Sequence, residues 1–361
     1  MTKEKARKPW GSGLLVTVGA TGVLAAEAAL HVAPDDFVWL APAGLVYPIS
    51  VGLVLLGLGM RLLVGRWTDA IVPVLVLAFT FPHARLLVGG GSLQAEPGDV
   101  RVVSWNVRQF DRYNKLEGGA TRDAVLERLA AAEADIVCLQ EVFEDRRRQP
   151  YVDTRRVKRA ADLAYTHADF ENERSPKQVF GVLTLTRFPI IGRKRLQFAN
   201  DPGNGAIVTD VRRDADTLRI INVHFSSLRF DQADYTAVRE GPDAASGRRL
   251  LGRMKRAWEK RAEQVRQVRD VVASSPYPVV VCGDFNDTPM SYALHTLRSA
   301  GLTDAFAEAG SGFGGTYIGD LPPLRIDYVL VSEDVVPVRV EVGEDVLSDH
   351  RSLTAVLRPS R

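Results

Sequence analysis

Eight polar side chains lie where apolar, strand-like runs of the sequence begin or end, and their types are those that activate water. Five of them end such a run, one enters a run, and two precede the last run: Asn106, Glu141, His224, Asp284 and Asn286; Asp327; Asp349 and His350. A carboxylate beside a buried strand is costly to leave unpaired, so such residues need a metal ion or a charge network. Oxygen ligands without thiolates suit Mg²⁺ or Mn²⁺ better than Zn²⁺. The pattern therefore predicts a site for a hard divalent cation.

Taken singly, each of these residues has an ordinary structural explanation. Asp284 and Asn286 could form an Asx turn, His224 could be a hydrogen-bonded core histidine, and Asp327 could pair with Arg325. Their joint occurrence in this order is poorly explained by such local roles.

The elements that would carry these residues alternate between strands and helices after Gly98. Strands are predicted at Val100–Asn106, Asp135–Gln140, Gly181–Thr186, Ala206–Arg212, Thr217–His224, Val279–Cys282, Ile326–Val331, Val336–Val342 and Leu353–Leu357. Helices are predicted at Thr121–Ala134, Arg155–Ala164, Glu259–Ser274 and Met290–Ser299. Many strands with few helices favour two packed sheets with helices outside over a simple doubly wound sheet.

Six short motifs around these residues resemble, in order, those of the endonuclease/exonuclease/phosphatase superfamily of DNase I-like proteins. They are Ser-Trp-Asn106, Leu-Gln-Glu141, Asn-Val-His224, Gly-Asp284-Phe-Asn286, Arg-Ile-Asp327-Tyr and Ser-Asp349-His350. The resemblance covers roughly residues 98–358 and is specific for the superfamily, but much less so for the substrate. It implies an α/β fold, a four-layered sandwich of two mixed β-sheets flanked by helices, and metal-dependent hydrolysis of phosphoesters.

The resemblance also implies a metal site. By matching position, Glu141 would be the principal ligand of Mg²⁺ or Mn²⁺, with Asn106 beside it and Asp349 contributing. Some nucleases of the superfamily carry an acid where this sequence has Arg108. Its absence favours a single-metal site.

The remaining residues would move protons or bind the phosphate. Asp284 would orient or deprotonate the attacking water, and Asn286 would hold that geometry. His350, oriented by Asp327, would contact the scissile phosphate or act in acid–base transfer. His224 would hydrogen-bond a phosphate oxygen or protonate the leaving group. The identity of the general base stays open.

Residues 1–90 predict a membrane anchor with two or three transmembrane helices. Gly11–Ala33 contains only two ionisable residues, and Phe37–Met60 carries no charge and is long enough to cross a hydrocarbon core of about 30 Å. Ala70–Phe81 is apolar but shorter, so the third span is open. Residues 91–98 are predicted to be a linker, and residues 99–361 a catalytic domain.

The charges that flank these segments predict their orientation. Basic residues precede the first segment, Arg61 and Arg66 follow the second, and Asp35 and Asp36 lie between them. The positive-inside rule then places the N-terminus and the 61–69 loop in the cytoplasm. Three spans would put the catalytic domain outside the cytoplasm, and two would leave it inside.

Two arginine-rich segments could read a substrate. Phe225–Trp258 is predicted to be a long loop, serving either as a lid or as a solvated excursion. Arg146–Arg148 and Arg155–Arg159 could meet phosphates or anionic lipid, or form an ordinary solvated helix face. Cys138 and Cys282 lie in apolar runs and are interpreted as buried filler.

The charge balance narrows the class of substrate that the chain is expected to bind. Residues 96–361 carry equal numbers of basic and acidic side chains, without the basic excess typical of proteins that grip long nucleic acid. Together with the anchor, this favours a phosphodiesterase or phosphatase acting on a phosphorylated small molecule or a lipid head group at the membrane. A nuclease outside the cytoplasm and an inactive membrane-tethered binding module are the alternatives. No obligate protein partner is indicated.

Overall fold

The structure is a computed structural model that describes residues 10–147, 151–171, 178–199, 201, 204–230, 232–241 and 243–360. Its α-helices are α1 Trp10–His31, α2 Pro34–Phe37, α3 Ala41–Leu63, α4 Ile71–Ala84, α5 Gly119–Ala131, α6 Thr154–Ala160, α7 Gln232–Glu240, α8 Ala244–Ala273, α9 Tyr292–Arg298 and α10 Ala305–Ala309. Its strands are β1 Val100–Asn106, β2 Ile136–Asp145, β3 Tyr165–Glu171, β4 Gln178–Thr186, β5 Ile190–Gln197, β6 Gly205–Arg213, β7 Asp216–His224, β8 Val279–Asp284, β9 Leu302–Asp304, β10 Asp327–Ser332, β11 Val335–Val342 and β12 Leu353–Pro359.

The strands of the described residues form two six-stranded sheets. The first has the order β11-β12-β1-β2-β4-β3 and the second the order β5-β6-β7-β8-β10-β9. Each sheet is mixed, because β1 pairs with β2 and β7 pairs with β8 in parallel, whereas the other pairs are antiparallel. The central strands are buried on both faces, which explains their nearly continuous apolar sequences.

The two sheets pack face to face over a common apolar core. Val102 and Ile136 of the first sheet meet Val280 and Val329 of the second in that core. Helices α5 and α6 cover the outer face of the first sheet, and α8 and α9 cover that of the second. The predicted four-layered sandwich is confirmed. Both cysteines are buried and free in this core, as predicted.

Phe225–Trp258 is not a long loop, and that prediction was wrong. The segment contains α7 and the first half of α8, which begins well before the predicted start at Glu259. The Asp243 carboxylate caps α8 by accepting a hydrogen bond from the Ser246 amide. The many charged residues of α8 hide its apolar stripe, which is buried at Leu250 and Trp258.

Three helical segments near the N-terminus are long and apolar enough to cross a membrane, among them the third segment that the sequence left open. They are Gly11–His31, Pro34–Leu63 and Thr68–Leu87. A polar network joins them: the Thr80 hydroxyl donates to Glu27, Tyr47 contacts Thr80 at 2.5 Å, and His83 Nδ1 lies 2.7 Å from the other Glu27 oxygen. The acid that interrupts the first apolar segment is therefore satisfied inside the bundle.

Candidate active site

Strand pairing brings the ends of four central strands to one edge of the sandwich. Asn106 at the end of β1 is level with Gln140 of β2, and His224 at the end of β7 is level with Asp284 of β8. Asp327 enters β10 directly opposite Asp284. Polar residues that are far apart in the sequence therefore converge at this edge.

The Asn106 side chain joins two of the acids. Its Nδ2 donates to Glu141 Oε1 at 3.1 Å and to Asp284 Oδ2 at 3.0 Å, while its Oδ1 accepts the Arg108 amide at 3.0 Å. Asp349 lies on the other side of this group, with its Oδ2 3.4 Å from Arg108 Nε. Arg108 thus contacts the cluster as a cation, at the position where some relatives carry an acid.

The electrostatics of Glu141 fit a divalent cation. Burial, and then the charge of Asp349, raise the pKa of Glu141, which means that the described chain does not compensate the two carboxylates fully. The donor set of Glu141, Asp349 and Asn106 consists of oxygen-bearing side chains, as Mg²⁺ and Mn²⁺ prefer. The residues present therefore fit such an ion.

His350 forms a second group with two aspartates. Its Nδ1 lies 2.9 Å from Asp327 Oδ2 and its Nε2 lies 3.8 Å from Asp284 Oδ2. Ligand atoms of these three residues lie within 4.8 Å of one another, a spacing that could also hold a metal. Burial opposes the imidazolium, but Asp327 and Asp284 raise the pKa of His350 well above its ordinary value. Because a protonated imidazole is a poor metal ligand, this group suits proton transfer and phosphate binding better.

His224 faces the same acids without a hydrogen bond. Its Nε2 is 3.7 Å from Asp284 Oδ2 and 3.8 Å from Glu141 Oε1, and both ring nitrogens lack a hydrogen-bond partner among the described residues. Burial lowers the pKa of His224, which favours the neutral ring. A buried imidazole with two unused nitrogens beside a cleft has capacity for an external partner.

Two of the eight predicted residues have left-handed backbones. Glu141 has a φ of 49° in an irregular part of β2, where the register with β4 shifts between Leu139 and Val142. Asn286 has a φ of 52°; its amide donates to Asp284 Oδ1 at 2.8 Å and its Nδ2 to the Phe225 carbonyl at 3.0 Å. Such conformations are uncommon for non-glycine residues and are frequent at functional sites. They aim the Glu141 side chain and fix Asp284.

One cavity of about 230 Å³ contains most of the predicted residues. Its lining includes Glu141, Asp284, Asn286, Asp349 and His350. Three predicted residues are absent from its lining but touch residues that form it: Asn106, His224 and Asp327. All eight are therefore brought together.

Several neighbours of the site were not identified from the sequence. Gln140 Nε2 donates to Asn222 Oδ1 at 2.7 Å and ties the two sheets together beneath the cleft. Arg261 Nε lies 3.1 Å from Asp287 Oδ2, and the Tyr317 ring meets His350 edge-on at 5.4 Å. A polar residue inside an apolar strand could have flagged Gln140 and Asn222, since both lie within the motifs. The Arg261–Asp287 pair joins distant segments and leaves no local signal.

Other expectations about charged residues are revised. Arg325 does not pair with Asp327; its NH1 is 2.7 Å from Asp304 Oδ2, deep in the fold. Part of the second arginine cluster is ion-paired: Arg147 with Asp145 and Arg156 with Asp123. Arg148 lies outside the described residues.

Comparisons with known proteins agree with this geometry. Residues 103–350 match the model of the Endonuclease/Exonuclease/phosphatase family. No curated protein matches the chain significantly.

Solved structures share the fold at low sequence identity. An endonuclease/exonuclease/phosphatase from Beutenbergia cavernae is 23% identical, with 73% of this chain and 72% of that chain covered and a TM-score of 0.53. The human Nocturnin catalytic domain with bound sulfate is 18% identical, with 76% and 99% covered and a TM-score of 0.52. TDP2 from D. rerio, complexed with a single-strand DNA product, is 16% identical, with 72% and 99% covered and a TM-score of 0.52. The chain therefore belongs to the endonuclease/exonuclease/phosphatase family and is a metal-dependent hydrolase of ester bonds.

Proposed function

We propose that this chain is a membrane-anchored phosphodiesterase or phosphatase that acts on a phosphorylated small molecule or a lipid head group. The observation that carries the proposal is the convergence of Glu141, Asp284, Asp349 and His350 in one cavity. Burial, and then the charge of Asp349, raise the pKa of Glu141, so the cleft favours a cation and, through it, an anionic substrate.

The residues divide the reaction between them. Asp284, whose pKa burial raises to about 6, is largely ionised at neutral pH and accepts a proton from the attacking water. The water oxygen bonds to phosphorus as the bond to the leaving oxygen breaks. His350, held by Asp327, hydrogen-bonds the phosphate and gives the leaving oxygen its proton. His224, as a neutral ring, binds a phosphate oxygen through its N–H group.

A divalent cation completes this arrangement. Glu141, Asn106 and Asp349 would hold Mg²⁺ or Mn²⁺, which offsets the charge that develops on the phosphoryl oxygens. Arg108, 3.4 Å from Asp349, supplies a fixed positive charge at the same edge.

A nuclease is the second candidate. It is supported by the TDP2 structure, whose title names a single-strand DNA product. The equal numbers of acidic and basic residues in 96–361 count against a long nucleic acid, because neutralising many phosphates needs a basic excess. An inactive binding module is disfavoured by the complete set of residues in the cleft.

The catalytic domain is proposed to lie outside the cytoplasm, joined by a linker at 91–98 to an anchor formed by residues 1–90. Three candidate spans support this topology. Asp35, in the short helix α2 at the start of the second candidate span, pairs with Arg266 of α8, whereas the 61–69 loop at the far end of that span carries Arg61 and Arg66. The basic loop then faces the cytoplasm.

The test uses the purified full-length protein in detergent with Mg²⁺. Plasmid DNA, phospholipid and bis(p-nitrophenyl) phosphate are the substrates. Glu141→Ala and His350→Ala should each lower turnover by about 10²–10⁴-fold, and chelation should abolish it until Mg²⁺ is restored. Glu127→Ala, an exposed acid of α5, and His167→Ala, a histidine of β3, are the matched controls.

The possible results of this experiment distinguish the candidate functions. Turnover that survives chelation and both site substitutions would exclude this cleft as the active site. Rapid cleavage of plasmid DNA with no hydrolysis of phospholipid or the chromogenic ester would select the nuclease instead.

A further inference from the structure

A residue of the membrane anchor lines the catalytic cavity. Leu45 of α3 lines the same cavity as Glu141, Asp284 and His350. The lining also includes apolar residues of the catalytic domain, among them Leu321 and Leu324. The cavity is therefore lined by apolar side chains, one of them from the anchor, as well as by the acids and His350.

The catalytic domain is fixed to three helix ends of the anchor. After α1, Asp35 forms a two-pronged ion pair with Arg266, at 3.0 and 2.6 Å. In α3, Gly44 lies so close to the Met290 carbonyl that a Cβ at this position would collide with it. After α4, Arg325 donates a hydrogen bond to the Leu86 carbonyl.

The segment that connects the anchor to the catalytic domain is also held by backbone hydrogen bonds. Gly89 donates to the Gly312 carbonyl and Gly91 to the Gly310 carbonyl, both at 2.9 Å. Buried and backbone contacts of this kind hold a domain more firmly than exposed ion pairs do. These contacts fix the position of the cavity relative to the ends of the three anchor helices.

The residues around these helix ends are of the kind found at the membrane interface. Trp39 and Phe37, 59% and 51% exposed, lie just before α3, and aromatic side chains favour the head-group level. Leu45 is four residues into α3, about 6 Å along the helix from its start at 1.5 Å per residue. Phe313, 78% exposed, directly follows Gly312, whose carbonyl accepts the Gly89 amide two residues after the third candidate span. The cleft thus borders the level at which lipid head groups lie.

From these contacts, and resting on the proposed function, we infer that the substrate is a membrane phospholipid that enters the cleft sideways from the bilayer. Its phosphoester would pass Leu45 to reach Glu141 and His350, while its acyl chains stay among the surrounding lipids. Water then adds to phosphorus, the bond to one ester oxygen breaks, and the released alcohol takes a proton.

The placement removes a large energetic barrier. Moving acyl chains into water is unfavourable, and the free-energy cost grows with every CH₂ group that becomes exposed. A cleft that required the whole lipid to leave the bilayer would face that cost for both chains. A cleft at head-group level, with Leu45 of the anchor in its lining, needs to desolvate only the head group.

A comparison of two vesicle arrangements tests the route. The full-length protein is reconstituted in galactolipid vesicles, and phosphatidylcholine with phosphatidylglycerol is placed either in the same vesicles or in separate ones. We expect hydrolysis in the same vesicles to be at least tenfold faster. Equal rates in both arrangements, or no phospholipid hydrolysis by protein that cleaves bis(p-nitrophenyl) phosphate in a chelator-sensitive way, would overturn the inference and leave the proposed function intact.

A substitution at Leu45 tests whether the substrate enters past this residue. Leu45→Trp should lower kcat/KM for vesicle phospholipid at least tenfold more than kcat/KM for bis(p-nitrophenyl) phosphate, because the larger side chain obstructs the membrane side of the cleft. Ile49→Trp, one turn further along α3 and 65% exposed, is the control and should change neither value. An equal loss on both substrates, or no loss on either, would contradict entry past Leu45. If the unsubstituted protein hydrolyses neither vesicle phospholipid nor bis(p-nitrophenyl) phosphate, the proposed function itself is contradicted.

Discussion

Asp201 and Asp284 are buried to nearly the same extent, with 0% and 1% of their surfaces exposed, yet their surroundings are opposite. Asp201 lies 2.6 Å from Arg229 and 3.1 Å from Lys260, and it also accepts hydrogen bonds from Ser226 and Gln264. Burial opposes its charge, but hydrogen bonds from Ser226 and Lys260 lower the pKa of Asp201. The chain supplies everything that this carboxylate needs.

Asp284 receives much less compensation. Amide groups of Asn106 and Asn286 donate to it, and the nearest imidazole nitrogens are 3.7 and 3.8 Å away. Burial therefore raises the pKa of Asp284 to about 6. We infer from this contrast that incomplete compensation, rather than burial alone, marks a candidate functional residue, because it leaves room for a proton, a cation or a substrate.

The largest expected effect comes from Asp284→Asn. We expect kcat on bis(p-nitrophenyl) phosphate to fall by about 10³-fold, since the amide cannot accept the proton of the attacking water. The Tm should stay the same or rise, because the substitution removes a poorly compensated buried charge. Initial rates and thermal unfolding followed by circular dichroism measure the two quantities. A fall in Tm with unchanged turnover would make Asp284 a structural residue and would remove the contrast.

Asp201→Asn is expected to have the converse effect. The substitution removes the ion pairs with Arg229 and Lys260, whose side chains are 55% and 35% exposed, and weakens the buried hydrogen bonds from Ser226 and Gln264. The free energy of unfolding should therefore fall by about 2 kcal/mol, a fall in Tm of roughly 4–8 °C. Because the pKa of Asp201 is lowered in the folded state, its stabilisation is present above the pKa of an unfolded aspartate and is lost as the pH falls below it. The Tm difference between the wild type and Asp201→Asn should therefore be larger at pH 7 than at pH 3.

Turnover per folded molecule gives the control for Asp201→Asn. It should stay within about threefold of the wild type at a temperature below both transitions, as expected of a residue outside the chemical step. A loss of kcat comparable to that of Asp284→Asn, without a change in Tm, would show that Asp201 belongs to the reaction.

The sequence predicted the buried parts of the fold well because their pattern is simple. Central strands such as β1 and β8 are runs of apolar residues that end at a polar one, and both were predicted close to their observed bounds. β3 and β5 were missed because they lie at sheet edges, where polar residues such as those of Ile190–Gln197 are tolerated. The first half of α8 was missed because its charged residues obscure the helical period.

The predicted site residues come from the same strand ends, but their partners could not be predicted. The pairing of Arg325 with Asp304, and the cations around Asp201, depend on the register between distant strands and on the packing of α8. Such pairings are set by tertiary packing and leave no periodic signal in the sequence. The motifs located the chemistry, whereas the fold determined which of the buried charges are compensated.

The smallest expected effect concerns Asp145, whose compensation is intermediate between those of Asp201 and Asp284. Its side chain is fully buried, but its partner Arg147 is 52% exposed. Hydrogen bonds from Arg147 lower the pKa of Asp145 to about 2, against an ordinary value of 3.8. Because water screens the exposed partner, Asp145→Asn should lower the free energy of unfolding by only about 1 kcal/mol at pH 7.

The pH dependence of that difference tests whether compensation by an exposed cation counts. The stabilisation by Asp145 is complete above pH 3.8 and is lost as the pH falls through about 2, so roughly half should remain at pH 3. Urea unfolding of the wild type and Asp145→Asn at pH 6 and pH 3 measures it. A difference as large as that of Asp201→Asn would mean that the second cation and the buried hydrogen-bond partners of Asp201 add nothing to its compensation. A difference that is the same at both pH values would assign the effect to the hydrogen bonds from the Arg147 and Tyr151 amides, because these do not require the charge.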